Sequence, residues 1–527
     1  MAGRPKRHLS QAFLLLVGLF LIYNANLRQV SSHDTRASRF VPISILRDGD
    51  LRLDEFFRSD LERRKHGEPL PFYLTYSNGH VYDDFPPIGP LLALPVYAVP
   101  VWIGIPSNDA LLANLISKLA ASLMAAASAV MILATTRRLL QRSRPDRPNN
   151  SEDNLRTGAA AGPAMTTSME RVALLATLTY ALCTPVWSIA SQGLWSHAPA
   201  VLCLALGLWG LLSGHMILAG LTTGAAAVAR PATVPAAALL VLYVAHRAWR
   251  NAGDPVTHPP RRKGWRETIW YTLSILAVGT AGEAFNIWQH GSLMGGVPLR
   301  NAYWVQTLNA SGSFSGSLLG GLAGLTVSPS RGVFVFAPIL LIALVGAVSA
   351  WKRQLSWPAA GAPGQRSEAT LLARYLSLAA LAVLLVYAKF IVWWGGNSYG
   401  PRYLTDIMPL VALLVAFGLA RMTEAPYRLR LGWRRLGDDP RKGAARLSLA
   451  RTARGALVCL FIYSAFVQAV GATCWPSPWV FNKTPPYYER LWEWRNSQIP
   501  ACLRAGPRFD PLARRLLGAL GLKVPAR

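Results

Sequence analysis

Long apolar runs broken by short polar stretches dominate the chain, and almost none alternates as a half-buried strand would. The first covers about residues 9–27, and a polar loop follows it to about Pro87, with helical patches such as Leu53–His66. Later runs fall at about 110–134, 172–190, 198–214, 267–288, 332–350, 371–392, 403–420 and 455–473. The stretch 216–246 holds two short runs hinged at Arg230-Pro231. Each approaches the length of about 20 residues that spans a bilayer as a helix. The pattern predicts an all-α polytopic membrane protein of about eleven transmembrane helices, with a long first extracytoplasmic loop.

Residues 88–106 are apolar enough to cross but carry a proline every few residues, and each interior proline removes a helix hydrogen bond. A complete crossing there would also put the arginine-rich stretch at 137–156 outside. This segment is therefore expected to be broken, interfacial or re-entrant.

Composition sharpens the picture. The chain of 527 residues carries 54 Lys and Arg against 26 Asp and Glu, a net charge of +28 that in a soluble protein would suggest nucleic acid. Here the excess collects between apolar runs, from Arg137 to Arg156, Arg247 to Arg266 and Arg421 to Arg454, while the first loop is balanced. That is the positive-inside distribution. It places the N-terminus in the cytoplasm and the C-terminus outside, and argues against a nucleic-acid partner. MAGRPKRH before the first run resembles a signal peptide, but Asn24-Ala25-Asn26 makes a poor cleavage site, so an uncleaved first span is expected.

Residues 1–474 read as the membrane domain and 475–527 as an extracytoplasmic tail. In the tail, Asp510-Pro511 opens a possible surface helix with Leu512, Leu516, Leu517 and Leu520 on one face. Cys183, Cys203 and Cys459 read as packing residues, whereas Cys474 and Cys502 lie where a disulfide would persist. No metal-ligand spacing occurs.

Four outward stretches hold the unusual polar residues: Asp34 in SSHDTRASRF, the pair Asp83-Asp84 before Pro86-Pro87, His197 in WSHAP, and Tyr399 with Arg402 in WWGGNSYGPRY. A serine before His33 would cap a short helix and put Asp34 in its first turn, where the helix end favours the ionised carboxylate. An ionised carboxylate within reach of a proton can serve as a general base. Arg402 at the mouth of an apolar run, and Arg331 after Ser328-Pro329-Ser330, carry guanidiniums suited to a phosphate. Lone arginines at helix ends also simply reach for headgroups. Glu283, inside a run, reads by default as a functional group, or else as a partner of Arg230 or Lys389, since a buried charge needs one.

A first span, an outer loop with an early aspartate and an acidic residue before Pro-Pro resemble the C-type (GT-C) membrane glycosyltransferase superfamily, which includes protein O-mannosyltransferases and the aminoarabinose transferase of lipid A. TLTYALCTPVWSIASQGLWSHAPA, AFNIWQHGSLMGGVP, LTVSPSRGVFVFAP, WWGGNSYGPRYL and RLWEWRNSQIP resemble bacterial members, in the same order along most of the chain. The resemblance implies a bacterial inner-membrane enzyme that inverts a sugar carried on a polyprenyl phosphate onto an acceptor hydroxyl. Asp34 would be its base, and Asp83 or Asp84 would hold the acceptor or orient reacting groups. Arg402, then Arg331, would stabilise the leaving phosphate, with His197 and Tyr399 lining the substrate site. The acid pair departs from members that carry one acid or a Glu-Lys pair, which leaves open which aspartate corresponds and whether a divalent metal is needed; no other cofactor is implied. Two alternatives remain: a transporter or flippase for a lipid-linked glycan, and a non-catalytic assembly subunit.

Overall fold

The computed structural model describes residues 3–26, 28–30, 32–104, 110–142, 163–251, 261–352, 363–433, 440–480 and 487–508. The expected tail helix lies outside them. The described chain is helical apart from one two-stranded sheet. Among the described residues five helices are long and apolar enough to cross a membrane: Ala110–Leu140, Pro231–Arg250, Glu368–Lys389, Arg402–Met422 and Arg451–Cys474. Shorter apolar helices accompany them, including Leu9–Asn24, His197–Ser213, Met216–Ala229 and Pro338–Trp351. Large apolar side chains such as Phe13, Leu21, Leu276, Leu319 and Ile462 are exposed on helix exteriors. A surface of that kind suits lipid rather than water.

Close helix packing rests on small residues. Met216–Ala229 crosses Arg261–His290 at Gly220 and Gly224, where a Cβ would run into the backbone carbonyls of Tyr271 and Ile275. This spacing of four lets two backbones approach where hydrocarbon offers no competing hydrophobic force. Gly346 and Gly418 make the same approach between Leu341–Trp351 and Met408–Trp433.

The first loop is folded. Helices Val41–Asp48 and Arg58–Lys65 and a hairpin pairing Leu74–Ser77 with His80–Asp83 enclose a second core of Phe40, Val41, Ile43, Leu53, Tyr73, Leu74 and Val81. The hairpin turns at Asn78-Gly79, both at positive φ (51° and 85°), as a tight turn between right-twisted strands requires. The segment expected to be broken is a helix over Ile88–Trp102, with Pro95 and Pro100 inside it. It packs on the loop core through Ala93 and Tyr97.

The hinge at Arg230-Pro231 is present: Met216–Ala229 ends there, and Val234–Asn251 starts after a short 3-10 turn. Glu283 does not pair with either cation among the described residues: it is exposed and accepts from Asn286 at 3.4 Å, while Arg230 pairs with Asp406 and Lys389 donates to the Gly316 carbonyl. Cys459 is likewise exposed rather than packed. Cys474 and Cys502 form a disulfide.

Candidate functional site

The loop enters tied to the turn before the His197 helix. The Val30 N–H donates to the Gln192 carbonyl at 2.9 Å, and the Trp195 indole N–H donates to the Val30 carbonyl at 3.1 Å. Ser32 then caps a single 3-10 turn over His33–Thr35, its hydroxyl accepting from the Asp34 N–H at 3.4 Å. Asp34 thereby sits close to His197.

Arg402 arrives from the far end of the chain. Glycines 395, 396 and 400 adopt positive φ (75°, 62° and 56°), which lets the segment reverse tightly before Pro401 and deliver Arg402 to the head of a 3-10 turn. Its guanidinium donates to Asp34 Oδ2 at 2.7 Å and lies 4.9 Å from the Trp195 ring and 5.2 Å from the Tyr403 ring. The Arg402 Nε is buried without an acceptor among the described residues. Burial alone would raise the Asp34 carboxyl. The charge and hydrogen bond of Arg402, with help from Arg230 and His197, outweigh burial and hold it below the usual carboxylate value. The Asp34 side chain keeps 24% of its surface open.

Behind this pair lies a polar cluster that the sequence reading does not contain. Asp406, fully buried, accepts from His197 Nδ1 at 2.7 Å, from Arg230 Nε at 2.9 Å and from the Tyr387 hydroxyl. Arg230 also donates to Tyr387 at 2.7 Å and to Ser196 at 3.4 Å. Tyr387 stacks on Tyr403 with ring centroids 4.6 Å apart. Two carboxylates thus meet two guanidiniums, and a buried charge set is tolerable only when paired and hydrogen-bonded. A neutral imidazole that donates through Nδ1 presents a lone pair at Nε2. That Nε2 of His197 is buried and has no partner among the described residues. The signal for the cluster was an aspartate within the apolar run LTDIMPLVALL.

The acid pair flanks the same loop. Asp83 Oδ2 accepts from Ser38 Oγ at 2.5 Å, and its carbonyl accepts from Gln289 Nε2 at 2.5 Å. Asp84 Oδ1 accepts from Thr75 Oγ1 at 2.6 Å and lies 3.7 Å from His290 Nδ1. Gly296 leaves room for this carboxylate, since a Cβ there would overlap it. Ser38 joins the turn that bears Asp34 to the acid pair, so the three aspartates belong to one region. Ser38, Gln289 and His290 lie in stretches that the sequence singles out, but nothing there ties them to the acid pair, and Thr75 lies in no such stretch.

Arg331 and Tyr399 stand apart from the Asp34 contact. Arg331 is fully buried and donates to the carbonyls of Ser398, Gly400 (3.1 Å) and Gly396 (2.7 Å) and to Gln498 Oε1 (3.3 Å). It clamps the glycine turn that positions Arg402. Tyr399 is buried and donates to the Val467 carbonyl at 2.9 Å.

Among the described residues no group of three or more His, Cys, Asp and Glu side chains is placed to hold a metal ion. No family model, curated protein or solved structure matches the chain.

Proposed function

We propose that this chain is an inverting membrane glycosyltransferase that moves a sugar from a polyprenyl phosphate to an acceptor hydroxyl at the outer face of a bacterial inner membrane. In this reading the shorter apolar helices complete about eleven crossings, with the N-terminus in the cytoplasm. The observation that carries the reading is the contact between Asp34 and Arg402 beside a balanced, buried charge cluster. A carboxylate base and a cation for a leaving phosphate have to serve one reacting carbon from opposite faces, and the contact supports the reading by bringing both kinds of group to one place, to be parted by the donor.

The donor phosphate takes the place of Asp34 on Arg402, using the unmatched Nε–H as well. Asp34, released from its partner, removes the proton of the acceptor hydroxyl. The acceptor oxygen bonds to the anomeric carbon from the face opposite the phosphate. The bond from that carbon to the phosphate oxygen breaks, and its electron pair leaves with the lipid phosphate. Arg402 offsets the charge that develops there, and such preorganised donors act where charge appears in the transition state. The proton on Asp34 passes to water. Asp406, Arg230 and Tyr387 keep the pieces in register, and Asp83 and Asp84 border the acceptor side.

Purified protein in liposomes with a polyprenyl-phosphate sugar radiolabelled in the hexose provides the test. Release of free polyprenyl phosphate coupled to glycosylation of membrane-extract acceptors is the expected result. Movement of intact donor between leaflets with no bond broken would assign a flippase instead. Binding without either event would assign an assembly subunit.

A further inference from the structure

The loop beside Asp34 contains cations of two kinds. Arg47 pairs with Asp48 and Glu55, Arg52 with Asp50, Arg63 with Asp60 and Lys65 with Glu62. Arg36 and Arg39, on the turn that carries Asp34, form no ion pair with a carboxylate among the described residues. Arg58 and Arg64 also lack one, but they lie exposed on a surface helix where water suffices. Arg39 is half-buried; it donates to Asn114, and its Nε is buried without an acceptor among the described residues. Burial is the largest influence on its guanidinium and lowers its hold on the proton, with no carboxylate to offset it. A partly desolvated guanidinium in that state lacks a counter-ion.

The surroundings suit a sugar. Arg36 lies 5.9 Å from the Tyr73 ring, His33 lies 6.1 Å from Tyr73 and 6.2 Å from Phe72, and Phe72 meets Tyr73 edge-on at 5.6 Å. His33, Arg36 and Phe72 are exposed, so this face is open, and His33 adjoins Asp34 directly.

We infer that this face is an acceptor subsite for a sugar bearing a phosphate or carboxylate, bound by Arg36 and Arg39 with the His33, Phe72 and Tyr73 rings beneath it. The inference rests on the transferase reading for the word acceptor, and the binding itself does not. A planar guanidinium matches either oxyanion through paired N–H bonds. The anion would sit on the loop side of Asp34, and the donor phosphate on the Arg402 side. The base would then lie between two anionic groups held by separate cations.

Saturation-transfer NMR tests this with the full chain in phosphatidylcholine nanodiscs and three probes: glucose 6-phosphate, glucuronate and glucose. The two anionic sugars are expected to bind and glucose not to. R36Q and R39Q should each weaken anionic binding about 10-fold, the scale of a charged hydrogen bond, and R58Q should leave it unchanged. Should R39Q lower the melting temperature, R36Q decides alone, because Arg36 is at the surface. Equal binding of glucose, or anion binding indifferent to R36Q and R39Q, overturns the subsite. Phosphatidylglycerol in the nanodisc that displaces the sugars places the natural anion on a lipid headgroup, and persistence of binding places it on a glycan. No donor is present in this experiment. A chain that binds the probes but never releases polyprenyl phosphate keeps the subsite and loses the transferase reading.

Discussion

Asp34 and Arg402, 368 residues apart in the chain, share one charged hydrogen bond of 2.7 Å. Each is the resting partner of the other. A ligand that engages Arg402 therefore changes the proton affinity of Asp34 at the same moment, and in the proposed reaction that would couple donor binding to activation of the base.

Asp34→Asn preserves volume and removes the proton acceptor. Transfer at saturating donor should fall roughly 10²–10⁴-fold, the usual contribution of positioned acid–base catalysis, while donor binding persists. Single-turnover quench-flow reads both, with Asp48→Asn as a control because Asp48 is a surface partner of Arg47. Wild-type turnover in Asp34→Asn removes this residue from the chemistry.

Arg402→Ala should cost roughly 10²–10³ in kcat, as does loss of one donor aimed at developing charge. Lysine should recover only part of it, since it supplies a point charge without the planar fork. Lipid phosphate release is the measurement. Full activity in Arg402→Ala would move the phosphate elsewhere.

The pH profile follows from the pairing. Arg402 depresses Asp34 in the resting protein, so its ionised form favours the folded state above the ordinary carboxylate value. That contribution fades as pH falls through the lowered value. A donor phosphate that takes over Arg402 should raise Asp34 again. The acid limb of kcat, which reports the complex, is expected at higher pH than the acid limb of kcat/KM, which reports the free protein. Coincident limbs would separate the arginine from the base.

Asp406→Leu should destabilise by about 3–5 kcal/mol, because it strands Arg230 in a buried site. Adding Arg230→Met should restore much of the loss, since matched apolar replacements of a buried pair are often neutral. Melting temperatures in detergent distinguish the two. Equal stability of the single and double variants would mean that Arg230 finds another partner.

Gly296→Ala should push the Asp84 carboxylate off Thr75. The backbone at Gly296 is ordinary (φ −79°), so the effect is steric alone. Pairing it with Asp84→Ala removes the clash, and the two changes should be strongly non-additive in stability, as neighbours are. Additive effects would mean that the glycine and the acid do not meet.

Sequence reading placed Asp34 and Arg402 at the ends of apolar runs because a polar residue stands out there. Their contact was invisible, since it depends on how the glycine turn and the Val30 anchor fold together. Arg331 and Arg402 look alike as residues after Ser-Pro-Ser and Gly-Pro, and both are buried; their partners, backbone carbonyls for one and the Asp34 carboxylate for the other, separate the clamp from the site group. Asp406 offered a signal, an acid inside an apolar span, that gains meaning once Arg230 and His197 are seen to converge. Asn78-Gly79 was the most legible missed feature: a two-residue turn of that composition announces a hairpin within a loop that otherwise reads only as polar.

The clamp on the glycine turn also orders events during synthesis. Gln498 accepts from the Gly400 N–H at 2.8 Å and donates to the Ser398 carbonyl at 2.9 Å, alongside Arg331. The ribosome adds roughly 5–20 residues per second, so the 98 residues from Gly400 to Gln498 take about 5–20 s. For that interval Arg402 and its turn are already made while one of the side chains that brace the turn does not yet exist. A nascent chain lacking Gln498 is thus expected to hold Asp34 and Arg402 in loose register, and their contact is fixed late, with the segment that carries Gln498.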